Sequence, residues 1–135
     1  MIIKLGTNDS KPHNWQHGSE FKHDLMQMLT TLRPDLANQG KKGKKSRAKV
    51  QPRLRILLCT PIPAFKSSWD ISDEVITNEI IPTIKQVATE CQLEVVDLHS
   101  LFADDADKLQ ADGIHPNDKG VQKMAEVISD MLKSK

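Results

Sequence analysis

An aspartate and a histidine stand three apart in Asp112-Gly113-Ile114-His115, followed at once by Pro116-Asn117. A histidine acting as a general base must be held in one tautomer, with its far nitrogen facing the substrate. A carboxylate that accepts the near N–H does this and stabilises the imidazolium that forms. An Asp-Gly turn can bring the carboxylate beside the ring without a helix. Asp112 favours the imidazolium, and the positive end of a helix starting just after His115 disfavours it. A turn aspartate and an unpartnered loop histidine would share this spacing, so the pair alone is a weak sign. At the other end of the chain, Gly6-Thr7-Asn8-Asp9 offers a side-chain amide. Acyl transfer needs donors aimed at the oxyanion of the tetrahedral intermediate, and Asn8 at a strand end can supply one. Gly6 lets the backbone approach closely, while Asp9 can bond loop amides and fix the asparagine. An ordinary Asn-Asp turn is the alternative.

Residues so far apart need a scaffold to bring them together. Apolar runs predict strands over 2–5, 54–60 and 93–98. The second run is nearly continuous in apolar residues, as in a parallel strand covered on both faces. Helical spacing predicts helices over 19–32, 72–91 and 118–132, with Pro34 ending the first and Pro82 kinking or restarting the second. Asn117 is a good N-cap for the last. Strand and helix alternate throughout, which argues for an α/β fold with a parallel sheet and right-handed crossovers. In such sheets ligands gather at the carboxyl ends of the strands. Gly6–Asp9, Thr60–Pro63 and Asp112–Asn117 should therefore meet on one rim.

Taken together, Gly6-Thr7-Asn8-Asp9 and Asp112-Gly113-Ile114-His115-Pro116-Asn117 resemble two blocks of the SGNH (GDSL-type) esterase/lipase superfamily, GxND and DxxH, in order and separation. The stretches 6–11 and 60–65 further resemble bacterial carbohydrate O-acetylesterases of the acetylxylan or sialate type. The resemblance implies a three-layer, flavodoxin-like sheet of about five parallel strands. This chain would supply the last three, as one N-terminally incomplete domain over residues 1–135. It implies Asn8 as an oxyanion-hole donor, His115 as the general base and Asp112 as its orienting carboxylate. Gly6, Thr7 and Asp9 would belong to the substrate-binding segment. The implied activity is ester hydrolysis, removing acetyl groups from a carbohydrate by Ser-His-Asp catalysis without metal or other cofactor. The family's Gly-Asp-Ser nucleophile and glycine oxyanion donor have no match here. Ser10 lies on the wrong segment, and Ser19, Ser67 and Ser68 lack a strand-end context, so the chain alone is expected to be nearly inactive. A non-catalytic relative that binds a glycan or a protein is the rival reading.

Composition narrows the partners. Hydrophobic residues make up 38% and charged residues 27%, ordinary for a globular domain, and the formal charge of +1 gives no general attraction to nucleic acid or an acidic membrane surface. No run approaches the roughly 18 apolar residues of a membrane span. Residues 38–52, rich in lysine, read as a flexible basic insertion, with phosphate contact as the less favoured alternative. Cys59 and Cys91 read as buried or half-buried free thiols. His13 and His17 stand four apart in a stretch read as loop, with no acidic residue placed to complete a metal site. Asp97 and His99 close the third strand and read as structural. Trp15 and Trp69 are candidates for the walls of an acyl or sugar pocket, or for plain packing. The chain opens inside a strand, whose exposed flank is expected to allow self-association. Nothing assigns a compartment.

Overall fold

A computed structural model describes residues 1–38 and 53–134, so all but the first residue of the basic segment 38–52 lies outside the described residues. Three short parallel strands form one sheet: β1 (Ile2–Lys4), β2 (Leu57–Cys59) and β3 (Glu94–Val96), in the order β1-β2-β3. Ile2, Leu57 and Glu94 stand abreast, as do Lys4, Cys59 and Val96, so the three strands end level. The α/β parallel architecture expected from the alternation of apolar runs is the one found.

Each strand is shorter than the apolar run that predicts it. After Lys4 the chain turns at Gly6, whose φ is +115°. After Cys59 come Pro61 and Pro63, which have no N–H to give a ladder. After Val96, the Asp97 carboxylate accepts the Ser100 N–H and turns the chain straight into a helix.

The helices are α1 (Pro12–Trp15), α2 (Gly18–Leu32), α3 (Asp73–Val75), α4 (Ile81–Cys91), α5 (Leu98–Leu101) and α6 (Asp118–Lys133). Residues 12–15, read from sequence as loop, form a short helix because Pro12 sits in its first turn, where a missing N–H costs nothing. The single helix expected over 72–91 is divided by a π turn, Ile76–Ile80. Pro82 cannot donate to the turn before it, and the Ile81 N–H reaches back to the Ile76 carbonyl as the ladder widens.

Alternation along β2 separates two cores. Leu58 faces Leu25 and Leu29 of α2 and Ile84, Val87 and Ala88 of α4, whereas Leu57 and Cys59 face Leu98, Phe102 and the inner side of α6. The sheet is thus the middle of three layers. Arg55 ties the last layer down, pairing with Glu94 at 2.6 Å and donating to the Met131 and Leu132 carbonyls at the end of α6. A cation there also suits the helix dipole. The cover stops short of β1: Ile2 and Leu5 remain 44% exposed, and no described strand pairs with its outer edge.

Candidate active site

At the end of β1, Gly6 is buried so tightly that a Cβ there would lie 2.6 Å from the Ile80 Cγ2 and 3.2 Å from the Pro61 Cγ. Its positive φ and this crowding both require glycine. A 3₁₀ turn, Asn8–Ser10, follows. Ser10 is fully buried; its hydroxyl donates to the Thr7 carbonyl at 2.7 Å and accepts the Ser72 N–H at 3.1 Å. This serine therefore pins the Asn8 turn to the start of α3. The Asn8 carbonyl accepts the Asn14 amide at 2.8 Å, which fixes the peptide. The Asn8 side-chain amide has no hydrogen-bond partner among the described residues and stands exposed at a cavity.

The second component comes from the loop before α6. Asn117 caps that helix by accepting the Gly120 N–H at 3.1 Å, and its amide donates to the Asp107 and Leu109 carbonyls. Gln110 donates its N–H to the His115 carbonyl at 2.8 Å, and Leu109 bridges Pro116, so the loop is closed at its base. Within it, the Asp112 carboxylate accepts three hydrogen bonds. One carboxylate oxygen takes the Ile114 and His115 backbone N–H groups at 2.9 and 3.0 Å; the other lies 2.6 Å from His115 Nδ1. Gly113, at φ +71°, permits this wrap. The His115 ring, and after it the two backbone N–H groups, hold the Asp112 carboxyl down at about 2. An ionised carboxylate only accepts, so Nδ1 is the donor in this contact, and Nε2 has no hydrogen-bond partner among the described residues. Asp112 is 23% exposed and His115 61%, so the carboxylate stands behind a ring that faces outward.

A third segment straps this loop in place. Phe65 donates its N–H to the Gly113 carbonyl at 2.9 Å, the Lys66 ammonium to the Ala111 carbonyl and the Ser68 hydroxyl to the Asp112 carbonyl at 2.7 Å. The strap ends in Trp69, at φ 58°, ψ 26°.

These segments enclose one cavity of about 570 Å³ lined by Gly6, Thr7, Asn8, Asp9, His115 and Trp69, among others. Of Gly6, Thr7, Asn8, Asp9, Asp112 and His115, the residues expected from the sequence to form the site, only Asp112 does not line it, consistent with its position behind His115. Trp15 is elsewhere: its ring packs 5.8 Å from Phe21 and its N–H donates to Glu79. His99 also stands apart from the cavity; its Nε2 lies 3.1 Å from Asp73 and bridges α3 to α5. Asp97 pairs with Lys85 at 2.7 Å. Cys59 and Cys91 are buried, and burial pushes both thiols up. No cluster of three metal-ligand side chains occurs among the described residues.

Sequence reasoning missed the strap and the Ser10–Ser72 link. No short pattern marks them, because every bond in them joins residues more than 40 positions apart.

Residues 1–123 match the GDSL-like Lipase/Acylhydrolase family. An acetylxylan esterase of Xylanibacter ruminicola (strain ATCC 19189) is 60% identical over 98% of this chain. The crystal structure of a lipase/acylhydrolase from Enterococcus faecalis shares the fold, with a TM-score of 0.75 and 21% identity over 98% of this chain. The chain spans 28% of the length of the first and 60% of the second. With a parallel three-layer sheet, the asparagine turn at one strand end and the Asp-His loop before the last helix, the chain belongs to the GDSL-like lipase/acylhydrolase family.

Proposed function

We propose that this domain serves a serine esterase that removes acetyl groups from a carbohydrate, with His115 as general base, Asp112 as its orienting carboxylate and Asn8 as an oxyanion donor. The observation that carries the reading is the Asp112–His115 pair opening onto the same cavity as the Asn8 amide. In the first step a serine hydroxyl adds to the acetyl carbonyl and gives its proton to His115 Nε2. Asp112, accepting from Nδ1, stabilises the imidazolium. The oxyanion is met by the Asn8 amide. Collapse of the tetrahedral adduct returns the proton from His115 to the departing sugar oxygen, and water then cleaves the acyl-enzyme by the same route.

The serine is proposed to come from outside the described residues. Ser10 and Ser68 spend their hydroxyls on the Thr7 and Asp112 carbonyls, and Ser72 caps α3 by accepting the Val75 N–H. This chain is therefore expected to be nearly inactive by itself. The test is acetate release from acetylated xylan by the chain alone and by the chain expressed with a βα segment that carries Gly-Asp-Ser. Release is expected only in the second case, and His115→Ala should lower it by at least about 10³-fold while leaving the fold intact. A folded His115→Ala protein working at the unsubstituted rate would sink the assignment. The substrate is the proposed ester of a carbohydrate; neither nucleic acid nor a membrane is a proposed partner.

The outer edge of β1 supports one proposed partner, a second copy of this chain. Met1, Ile2 and Leu5 are each more than 40% exposed there. Two such edges related by a two-fold axis run antiparallel and can pair into one continuous sheet.

A further inference from the structure

Trp69 is the most exposed large apolar side chain among the described residues, at 70%. Leaving most of that surface uncovered forgoes a large hydrophobic gain. Its backbone is equally uneconomical. Trp69 and Asp70 both lie in the left-handed region, at φ 58° and 61°, where side chains other than glycine are crowded. Such a conformation persists only when its surroundings impose it. Here they do: the Ser68, Lys66 and Phe65 bonds strap the preceding residues to the Asp112–Gly113 turn, and Asp70 donates its N–H to the Ser67 carbonyl at 3.2 Å. One strap thus holds the base-carrying loop and presents an unpartnered indole at the cavity that His115 lines.

We propose that Trp69 is the stacking platform for a sugar ring of the substrate, beside the reacting acetyl group. The inference rests on the carbohydrate-esterase reading above and names the residue that grips the carbohydrate part. An indole is flat and apolar on its faces, matching the C–H face of a pyranose, while ring hydroxyls need polar partners at the edge. The cavity supplies both. Ile62, Ile71 and Ile114 give apolar lining, and Asn8, Asp9 and Lys11 give donors and acceptors. A long acyl chain, by contrast, would use neither the ammonium nor the carboxylate. Trp15 cannot do this work, because its ring and its N–H are taken up by Phe21 and Glu79.

The chain has two tryptophans and no tyrosine, so in a Trp15→Phe background the indole emission reports on Trp69 alone. Unacetylated xylotriose is the first probe, since binding needs no nucleophile; cellotriose and mannotriose are the comparison sugars. The expected result is a saturable emission change with at least one of them. By calorimetry on the otherwise unaltered chain, Trp69→Ala should weaken that binding about tenfold and Trp69→Phe much less. A folded Trp69→Ala chain that binds the sugar as tightly as the unsubstituted one would overturn the role of Trp69 and leave the carbohydrate reading standing. Absence of binding to all three sugars at millimolar concentration would overturn both.

Discussion

Substituting Gly113 by alanine tests whether the Asp112–His115 turn is as tightly specified as its geometry indicates. Two costs follow from the structure. Gly113 has φ +71°, and a left-handed backbone costs an alanine about 1–2 kcal/mol. The new Cβ would also lie 2.8 Å from the Lys66 Cγ, 3.0 Å from its Cβ and 3.1 Å from its backbone nitrogen. The Cγ can swing aside, but the nitrogen cannot, because the neighbouring Phe65 N–H is bonded to the Gly113 carbonyl. Overpacking of this kind costs about 1–3 kcal/mol. Stiffening of the unfolded chain offsets about 0.4–1 kcal/mol. The midpoints combine to a net loss of about 3 kcal/mol. For 135 residues the unfolding entropy is roughly 0.28 kcal/mol/K, so Tm should fall by about 10 °C. Calorimetry reads this, and the His115 Nδ1–H resonance reads whether the contact with Asp112 loosens. In a Lys66→Gly background the same substitution should cost about 1 kcal/mol less, since two of the three close contacts are gone. A Tm within about 2 °C of the parent, with the His115 resonance unmoved, would refute the reasoning.

Other consequences can be read with ordinary methods. The Asp112 carboxyl should titrate at about 2 instead of its usual 3.8, as followed by its ¹³C shift, and should move back up in His115→Ala. Because this pKa is depressed in the folded state, its stabilising contribution is complete above about pH 4 and lost as pH falls towards 2; a midpoint of 3.8 would show that the pair does not form. Asn117→Ala removes the α6 cap and two bonds to the Asp107 and Leu109 carbonyls, and should cost about 2–3 kcal/mol in chemical denaturation. If β1 pairs with a second copy, sedimentation will show a concentration-dependent dimer that Ile2→Lys abolishes; a monomer at all concentrations would remove that proposal.

The order of strands and helices was legible because β2 is buried on both faces and its apolar run is nearly continuous, while Phe21, Leu25 and Leu32, and Ile84 and Val87, repeat at helical spacing on the sides that meet the sheet. Met28, on the same spacing, is 41% exposed, and Leu29 takes its place in the core. Asn117 was legible as a cap since the rule for capping depends only on the adjoining turn. The Asp112–His115 contact was legible for the same local reason: three residues and one glycine suffice to close it. The π turn was not, because a proline predicts an interruption without saying whether the helix kinks, stops or widens. Nor was the left-handed Trp69, which owes its conformation to hydrogen bonds with residues 111–113 and not to its own neighbours in sequence. Ser10 is the clearest case of all. As a type it suggested a misplaced nucleophile; its burial and its bond to the Ser72 N–H make it a fastener.

The register of the sheet connects these parts. Because Lys4, Cys59 and Val96 end abreast, the segments that follow them start at one level, and short links suffice to join them. The Asn8 turn is joined to α3 through Ser10 and Ser72, and the 65–69 strap, which lies between the end of β2 and α3, is joined to the Asp112–His115 loop through Ser68. Asn8 and His115 thus hold their relation through residues 60–73, although neither belongs to that segment. Loosening its middle by Ser68→Ala should therefore disturb the Asp112–His115 pair more than the Asn8 turn, whereas Ser10→Ala should do the reverse. Amide shifts of residues 112–115 and 7–10 distinguish the two. Equal disturbance of both loops by either substitution would mean that the cavity is held by its apolar lining, and that the two serine links are incidental.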